Sequence, residues 1–189
     1  MNPVRLIEPK RFGDARGWFA EVYSARRFAG DGIGTVFVQD NHSLSRPAGT
    51  LRGLHFQTPP HGQAKLVHCV KGRIFDVAVD VRNGSPTYGR HAGAELSAQN
   101  GRQLLIPVGF AHGFVTLEPD CEVAYKVSDY YAPECDGGIF WDDPALGIEW
   151  PLPPGVAPLL SDKDMKLPPL AGFDSPFAYD GHPLEPLDL

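Results

Sequence analysis

Cysteine, basic charge and long apolar runs are all scarce in this sequence, and each shortage removes a class of protein. The three cysteines, Cys69, Cys121 and Cys135, are odd in number, widely spaced and without a CxxC pair, which fits neither a disulfide framework nor a zinc knuckle and points to a reducing compartment. No run is apolar enough to span a bilayer. The opening MNPVRLIEPKRFGD carries charges throughout, where a signal peptide needs an apolar stretch of about 7–15 residues. A cytoplasmic protein without a membrane partner is expected. With a formal net charge of -6, the chain also lacks the broad basic field that nucleic acid would require. Any positive contacts to an anionic ligand must be local.

Windows of helical period are few as well, whereas 21 glycines and 19 prolines punctuate short apolar runs, so the expected class is all-β. At 189 residues and 42% hydrophobic content, the chain suits a single domain. Within it, N-terminal strands are expected over about 1–35, a barrel over 36–150 and a wrapping segment over 151–189. Residues 74–81 alternate cleanly, with Phe75, Val77, Val79 and Val81 on one face and Ile74, Asp76, Ala78 and Asp80 on the other. Acids on such a strand need a purpose. Further strands are expected at 36–38, 51–57, 65–70, 103–106, 114–117 and 122–128, separated by turn residues such as Asn83, Gly84, Ser85 and Pro86. Short strands so spaced suggest a barrel or jelly roll. Helix is expected only at 24–29 and 161–166, where a serine precedes a charged turn. Nine prolines fall in the last 39 residues, which suits irregular structure wrapped over the barrel.

On the strand at 65–70, Lys65 shares a face with Val67 and Cys69 while Leu66, His68 and Val70 take the other, and either face could be inner. An inward ammonium needs a counter-charge; an outward one is an ordinary strand-end lysine reaching solvent. Tyr125 alternates with Val123 and Val127, which puts a phenol on an apolar face, where a core tyrosine with a satisfied hydroxyl is the commoner use.

The run GRQLLIPVGFAHGFVT from Gly101 resembles the second cupin motif, which turns between strands at Pro107 and Gly109 and aims a histidine, here His112, into a cavity. The first cupin motif departs from the metal-binding pattern: His55 is followed by Phe56 and Gln57 in place of a second histidine, and His61 lies six residues on. Two histidines are too few for a catalytic metal, which takes at least about three protein ligands, so no metal is expected. Nine further segments, DARGWFAE from Asp14, QDNHS from Gln39, LRGLHF from Leu51, QAKLV from Gln63, FDV from Phe75, AHGF from Ala111, YK from Tyr125, DYY from Asp129 and SDKD from Ser161, resemble the RmlC-type dTDP-4-dehydrorhamnose 3,5-epimerase family of the cupin superfamily.

That resemblance implies a cupin-type jelly-roll β-barrel and a cofactor-free epimerase that inverts carbons 3 and 5 of dTDP-4-keto-6-deoxy-D-glucose. A ketone at carbon 4 acidifies both neighbouring carbons, so the reaction needs a base, an enolate stabiliser and an opposing acid. By resemblance His55 is the base, Asp164 its orienting partner, Lys65 the stabiliser and Tyr125 the acid. His112 and Asp76 form a supporting pair. Arg52 would meet the diphosphate, although strand alternation places it across from His55 unless a bulge intervenes. Gln39, Asn41, Lys163 and Tyr131 match substrate-binding positions, Tyr131 beside the base. Arg16, Phe19 and Glu21 match residues that reach into a partner's site, which implies a homodimer with exchanged N-terminal segments. Alone, His55 reads as a structural histidine, Asp164 as a helix cap, and the 16–21 residues as solvated loop. The main alternative is a single-carbon (3- or 5-) epimerase of a related dTDP-4-keto-deoxysugar, whose family relatives share nearly all of these residues; a metal-dependent cupin dioxygenase or isomerase and a silent sugar-nucleotide-binding cupin are the further competing functions.

Overall fold

Two five-stranded antiparallel sheets face each other across a shared apolar interior in the computed structural model, which describes residues 3–152 and 154–187. The first takes β1 (Arg5–Ile7), β9 (Gln103–Ile106), β6 (Lys65–Lys71), β11 (Cys121–Val127) and β4 (Gln39–Ser45) in that order. The second runs β12 (Asp136–Gly138), β5 (Leu51–Gln57), β10 (Phe110–Thr116), β7 (Arg73–Asp80) and β8 (His91–Ser97). This is a jelly roll, as a cupin requires. Among the described residues its hydrogen bonding divides into two sheets and is not one continuous closed barrel. A separate hairpin, β2 (Arg11–Asp14) with β3 (Gly17–Ala20), stands outside both.

The interior follows from strand alternation. Val67, Cys69 and Val123 of the first sheet meet Ile74, Ala78, Leu96, Phe110 and Phe114 of the second, and each large side chain so buried contributes about 1.5–3 kcal/mol. The inner face of β6 is therefore the one that carries Lys65. On β7 the opposite set, Val77 and Val79, is buried too, under Phe56, Ile139 and Leu146 and, from the tail, Phe177. Both faces of the second sheet are thus covered, and the Asp76 face is the inner one. Beneath the first sheet, Leu66 and Leu105 pack on Phe28 and Ile33 of the helix α1 (Ala25–Gly30) and the turn after it.

Several boundaries differ from expectation. Residues 36–38 are irregular, with Val36 72% exposed, and the strand starts at Gln39 instead. Strand β10 begins at Phe110, earlier than the expected 114. Neither β8 nor β12 was expected. Ser24 precedes α1 without a side-chain cap bond, and only a 3-10 turn, Asp164–Lys166, forms near 161–166. The proline-rich tail is irregular apart from parallel bridges at Thr50–Leu159 and Asn83–Ala178.

Candidate active site

One end of the jelly roll opens into a pocket of about 480 Å³ lined by Arg52, His55, Lys65, His112, Tyr125, Lys163 and Asp164. An adjoining hollow of about 410 Å³ shares His55, Lys65, Tyr125 and Lys163, and adds Gln39, Asn41 and Tyr131. Ten of the expected site residues therefore gather in one connected cleft. Three of them are cations in an acidic chain, which supplies the local positive field expected for an anionic ligand.

Arg52 and His55 share the pocket because β5 is irregular. His112 pairs with His55 and Phe114 with Arg52, so two positions of β10 face three of β5. The extra residue resets alternation and turns both side chains inward. Gly53 makes this possible: its φ is +131°, and a Cβ there would lie 2.5 Å from the Gly113 Cα and 2.8 Å from the His112 carbonyl.

His55 is held by the tail. Its Nε2 lies 2.5 Å from Asp164 Oδ1, and the Asp164 side chain is only 4% exposed. Ser161 Oγ donates to Asp164 Oδ2 at 2.8 Å and accepts from the Asp164 N–H at 3.2 Å. Burial alone would raise the Asp164 pKa. The hydrogen bonds from His55 and Ser161, with the charge of His55, outweigh burial and hold the carboxyl below its usual range. An ionised Asp164 fixes the proton on Nε2 and leaves Nδ1 as the basic nitrogen. The cap expected of Ser161 thus belongs to the dyad.

Lys65 is 9% exposed, with its Nζ 3.4 Å from the His55 carbonyl oxygen. Burial pulls its pKa down to about 8 against the attraction of Asp76 and Asp136, with Lys163 adding to the fall. The Tyr125 phenol, on the inward face with Val123, is raised by burial, partly opposed by Arg52. It stays protonated at neutral pH and can donate. Behind them His112 Nε2 lies 2.8 Å from Asp76 Oδ1. Burial lowers the His112 pKa in spite of Asp76, and the other Asp76 oxygen has no hydrogen-bond partner among the described residues.

Arg16, Phe19 and Glu21 are the exceptions. They lie on or just after the outer hairpin, where Arg16 pairs with Asp14 at 2.6 Å and Phe19 is 68% exposed. None of them lines the pocket of its own chain. Sequence reasoning missed Ser43, Phe114, Ser161 and Asp136 as lining residues; Asp136 forms an ion pair with Lys163. The i, i+2 series Gln39, Asn41, Ser43 was the available signal for the first of these. Among the described residues no three His, Cys, Asp or Glu side chains form a group that could hold a metal, and no helix is long and apolar enough to cross a membrane.

Comparison with known proteins identifies the family. The family model described as dTDP-4-dehydrorhamnose 3,5-epimerase matches residues 1–172. A curated dTDP-4-dehydrorhamnose 3,5-epimerase of Sinorhizobium fredii is 52% identical over 176 residues, 93% of this chain and 89% of that protein. The solved epimerase of Legionella pneumophila, in complex with dTDP-4-keto-L-rhamnose, superposes with a TM-score of 0.88 at 47% identity, covering 93% of this chain and 94% of that one. That of Bacillus anthracis, with TDP and pyrophosphate bound, gives 0.85 at 50% identity over 88% and 93%. With the family model matched over residues 1–172 and about half of its residues identical to these proteins over nearly its whole length, the chain belongs to the dTDP-4-dehydrorhamnose 3,5-epimerase family.

Proposed function

We propose that this chain inverts carbons 3 and 5 of dTDP-4-keto-6-deoxy-D-glucose to give dTDP-4-keto-L-rhamnose, with His55 as base and Tyr125 as acid. The observation that carries the reading is the His55–Asp164 contact at the wall of a pocket also lined by Lys65 and Tyr125. Nδ1 of His55 takes the proton from carbon 3, and the imidazolium is stabilised by Asp164. Electron density moves to the carbon 4 oxygen, where the Lys65 ammonium meets the developing enolate. Tyr125 then returns a proton to the opposite face. The protons on carbons 3 and 5 lie on the same face of the ring, so once His55 has released its proton to solvent and Tyr125 has regained one, a small shift of the sugar presents carbon 5 to the same base. Proton transfer at a carbon beside a ketone calls for no redox cofactor, and full turnover after exhaustive chelation is expected.

Arg52 and Lys163 suit the diphosphate by charge. Gln39, Asn41 and Tyr131, in the adjoining hollow, suit the nucleoside. Arg16, Phe19 and Glu21 complete the site of a second copy through exchanged hairpins. The exposed rings of Phe12, Trp18 and Phe19 support that role, since a two-stranded ribbon with three aromatics more than half exposed, two of them covered by the cations of Lys10 and Arg11, is short of apolar partners. Light scattering should report a dimer; a fully active monomer would refute the exchange. The reaction itself is tested by trapping the product with a stereospecific 4-keto reductase and NADPH. An L-rhamno product supports the proposal, and inversion at one carbon alone refutes it.

A further inference from the structure

Gln57 stands two residues after His55 on β5, where a metal-binding cupin motif would carry its second histidine, and it is buried at 4% exposure without a part in the proposed proton transfers. Both ends of its carboxamide are engaged. Nε2 donates to the carbonyls of His61 at 2.8 Å and Tyr130 at 3.1 Å, and Oε1 accepts from the N–H of Ala132 at 2.9 Å. Tyr131 lies between the last two, so the backbone on either side of it is tied to a single side chain. Asp129, two residues before Tyr131, is held as well: Gln63 Nε2 donates to its carbonyl at 2.8 Å, and His61 Nδ1 lies 3.2 Å from its Oδ2. The Tyr131 ring, by contrast, is 61% exposed and lines the outer hollow, so its place is set chiefly by the backbone that carries it.

We propose that Gln57 is a positioning residue, a clamp that holds Tyr131 at a fixed reach from His55 and thereby contributes to the affinity for the nucleoside end of the substrate. The inference rests on the assignment of Tyr131 to that end. Only a carboxamide fits the pattern of two donors and one acceptor at this site. A glutamate would set a carboxylate oxygen against two carbonyls, and a methionine would fill the space with no hydrogen bonds.

The test is a double-mutant cycle on the full-length protein, with dTDP affinity read by calorimetry beside KM and kcat. Gln57→Met should weaken dTDP binding and raise KM about tenfold, the effect of losing neutral hydrogen bonds that water replaces only in part, while kcat changes far less. Tyr131→Ala should weaken binding comparably. In the Tyr131→Ala background, Gln57→Met should add nothing, because its whole effect passes through that ring. Gln57→Glu, which retains the acceptor, should show the same dependence on Tyr131 and serves if the methionine variant does not fold. Losses that multiply in full, or a fall in kcat with KM unchanged, would overturn the clamp alone. Unchanged dTDP affinity in Tyr131→Ala would instead overturn the nucleoside assignment of Tyr131, and the clamp with it.

Discussion

Replacing Lys65 with methionine should make the protein more stable and the enzyme almost inactive, and the gain in stability should vanish at alkaline pH. Lys65 is 9% exposed, and burial outweighs the attraction of Asp76 and Asp136, so its pKa falls from 10.5 to about 8. At about 1.36 kcal/mol per pH unit, that fall amounts to about 3 kcal/mol of folding stability. The sign follows from proton uptake. Below pH 8 both folded and unfolded forms are protonated, and the full cost of burying the charge is present. Between about 8 and 10.5 the folded form is neutral while the unfolded one still holds its proton, so stability rises with pH; above 10.5 the cost is gone. Lys65→Met carries no such cost. At pH 7 it should exceed the wild type by up to about 3 kcal/mol, or about 6–12 °C in Tm for a chain of this size, and the difference should fall to about 1 kcal/mol by about pH 10 and vanish above 10.5. Calorimetry of both proteins across this range isolates the one group, because other titrations cancel. Loss of the enolate stabiliser should lower kcat by about 10²–10³-fold, and wild-type kcat/KM should decline above pH 8 as the ammonium deprotonates. A variant that is less stable at pH 7, or whose advantage is undiminished at pH 10, would contradict this account of Lys65. Activity within tenfold of wild type would remove Lys65 from the reaction.

Three further outcomes follow from the geometry. Asp164→Ala should cost about 10–150-fold in turnover, the worth of one charge-assisted hydrogen bond. Asp164→Asn should cost at least tenfold more: Ser161 already accepts the residue-164 N–H, so the asparagine does best to keep its oxygen toward the Ser161 hydroxyl and donate to His55 Nε2, which forces the ring proton onto Nδ1. The opposite ranking in single-turnover kinetics counts against Nδ1 as the base. Tyr125→Phe should still exchange substrate protons with solvent yet fail to invert, because the far-face acid is gone; inversion that keeps pace with exchange in the NMR spectrum assigns the acid elsewhere. Gly53→Ala should destabilise by more than about 2 kcal/mol in urea titration, since its Cβ would lie 2.5 Å from the Gly113 Cα and its φ is unfavourable for alanine. A neutral effect would show that the bulge can relax.

What the sequence made legible depended on which strands bury apolar faces. Residues 74–81 alternate because β7 packs Val77 and Val79 outward and Ile74 and Ala78 inward, so the strand could be read from the pattern, whereas the face that is inner could not. Strand β4 could not, since its inward positions Gln39, Asn41 and Ser43 are polar and line the cleft, and an apolar triplet at 36–38 drew the assignment instead. Strand β8 hides for another reason: Ala92, Gly93 and Ala94 have low strand propensity, and Gly93 is small because Phe75 occupies the space its Cβ would take. Alternation also set Arg52 against His55 until the bulge at Gly53 turned both inward, which no periodicity reveals. The dyad joins residues 109 positions apart, and only the family's motifs linked them.

The most direct test of His55 as the base is solvent deuterium incorporation. Wild-type enzyme and His55→Asn are incubated with dTDP-4-keto-6-deoxy-D-glucose in deuterated water, with circular dichroism confirming that both are folded. Wild type should place deuterium at carbons 3 and 5, and His55→Asn should place it at neither above the uncatalysed rate. Near-normal labelling by the His55→Asn variant would show that another residue abstracts the proton.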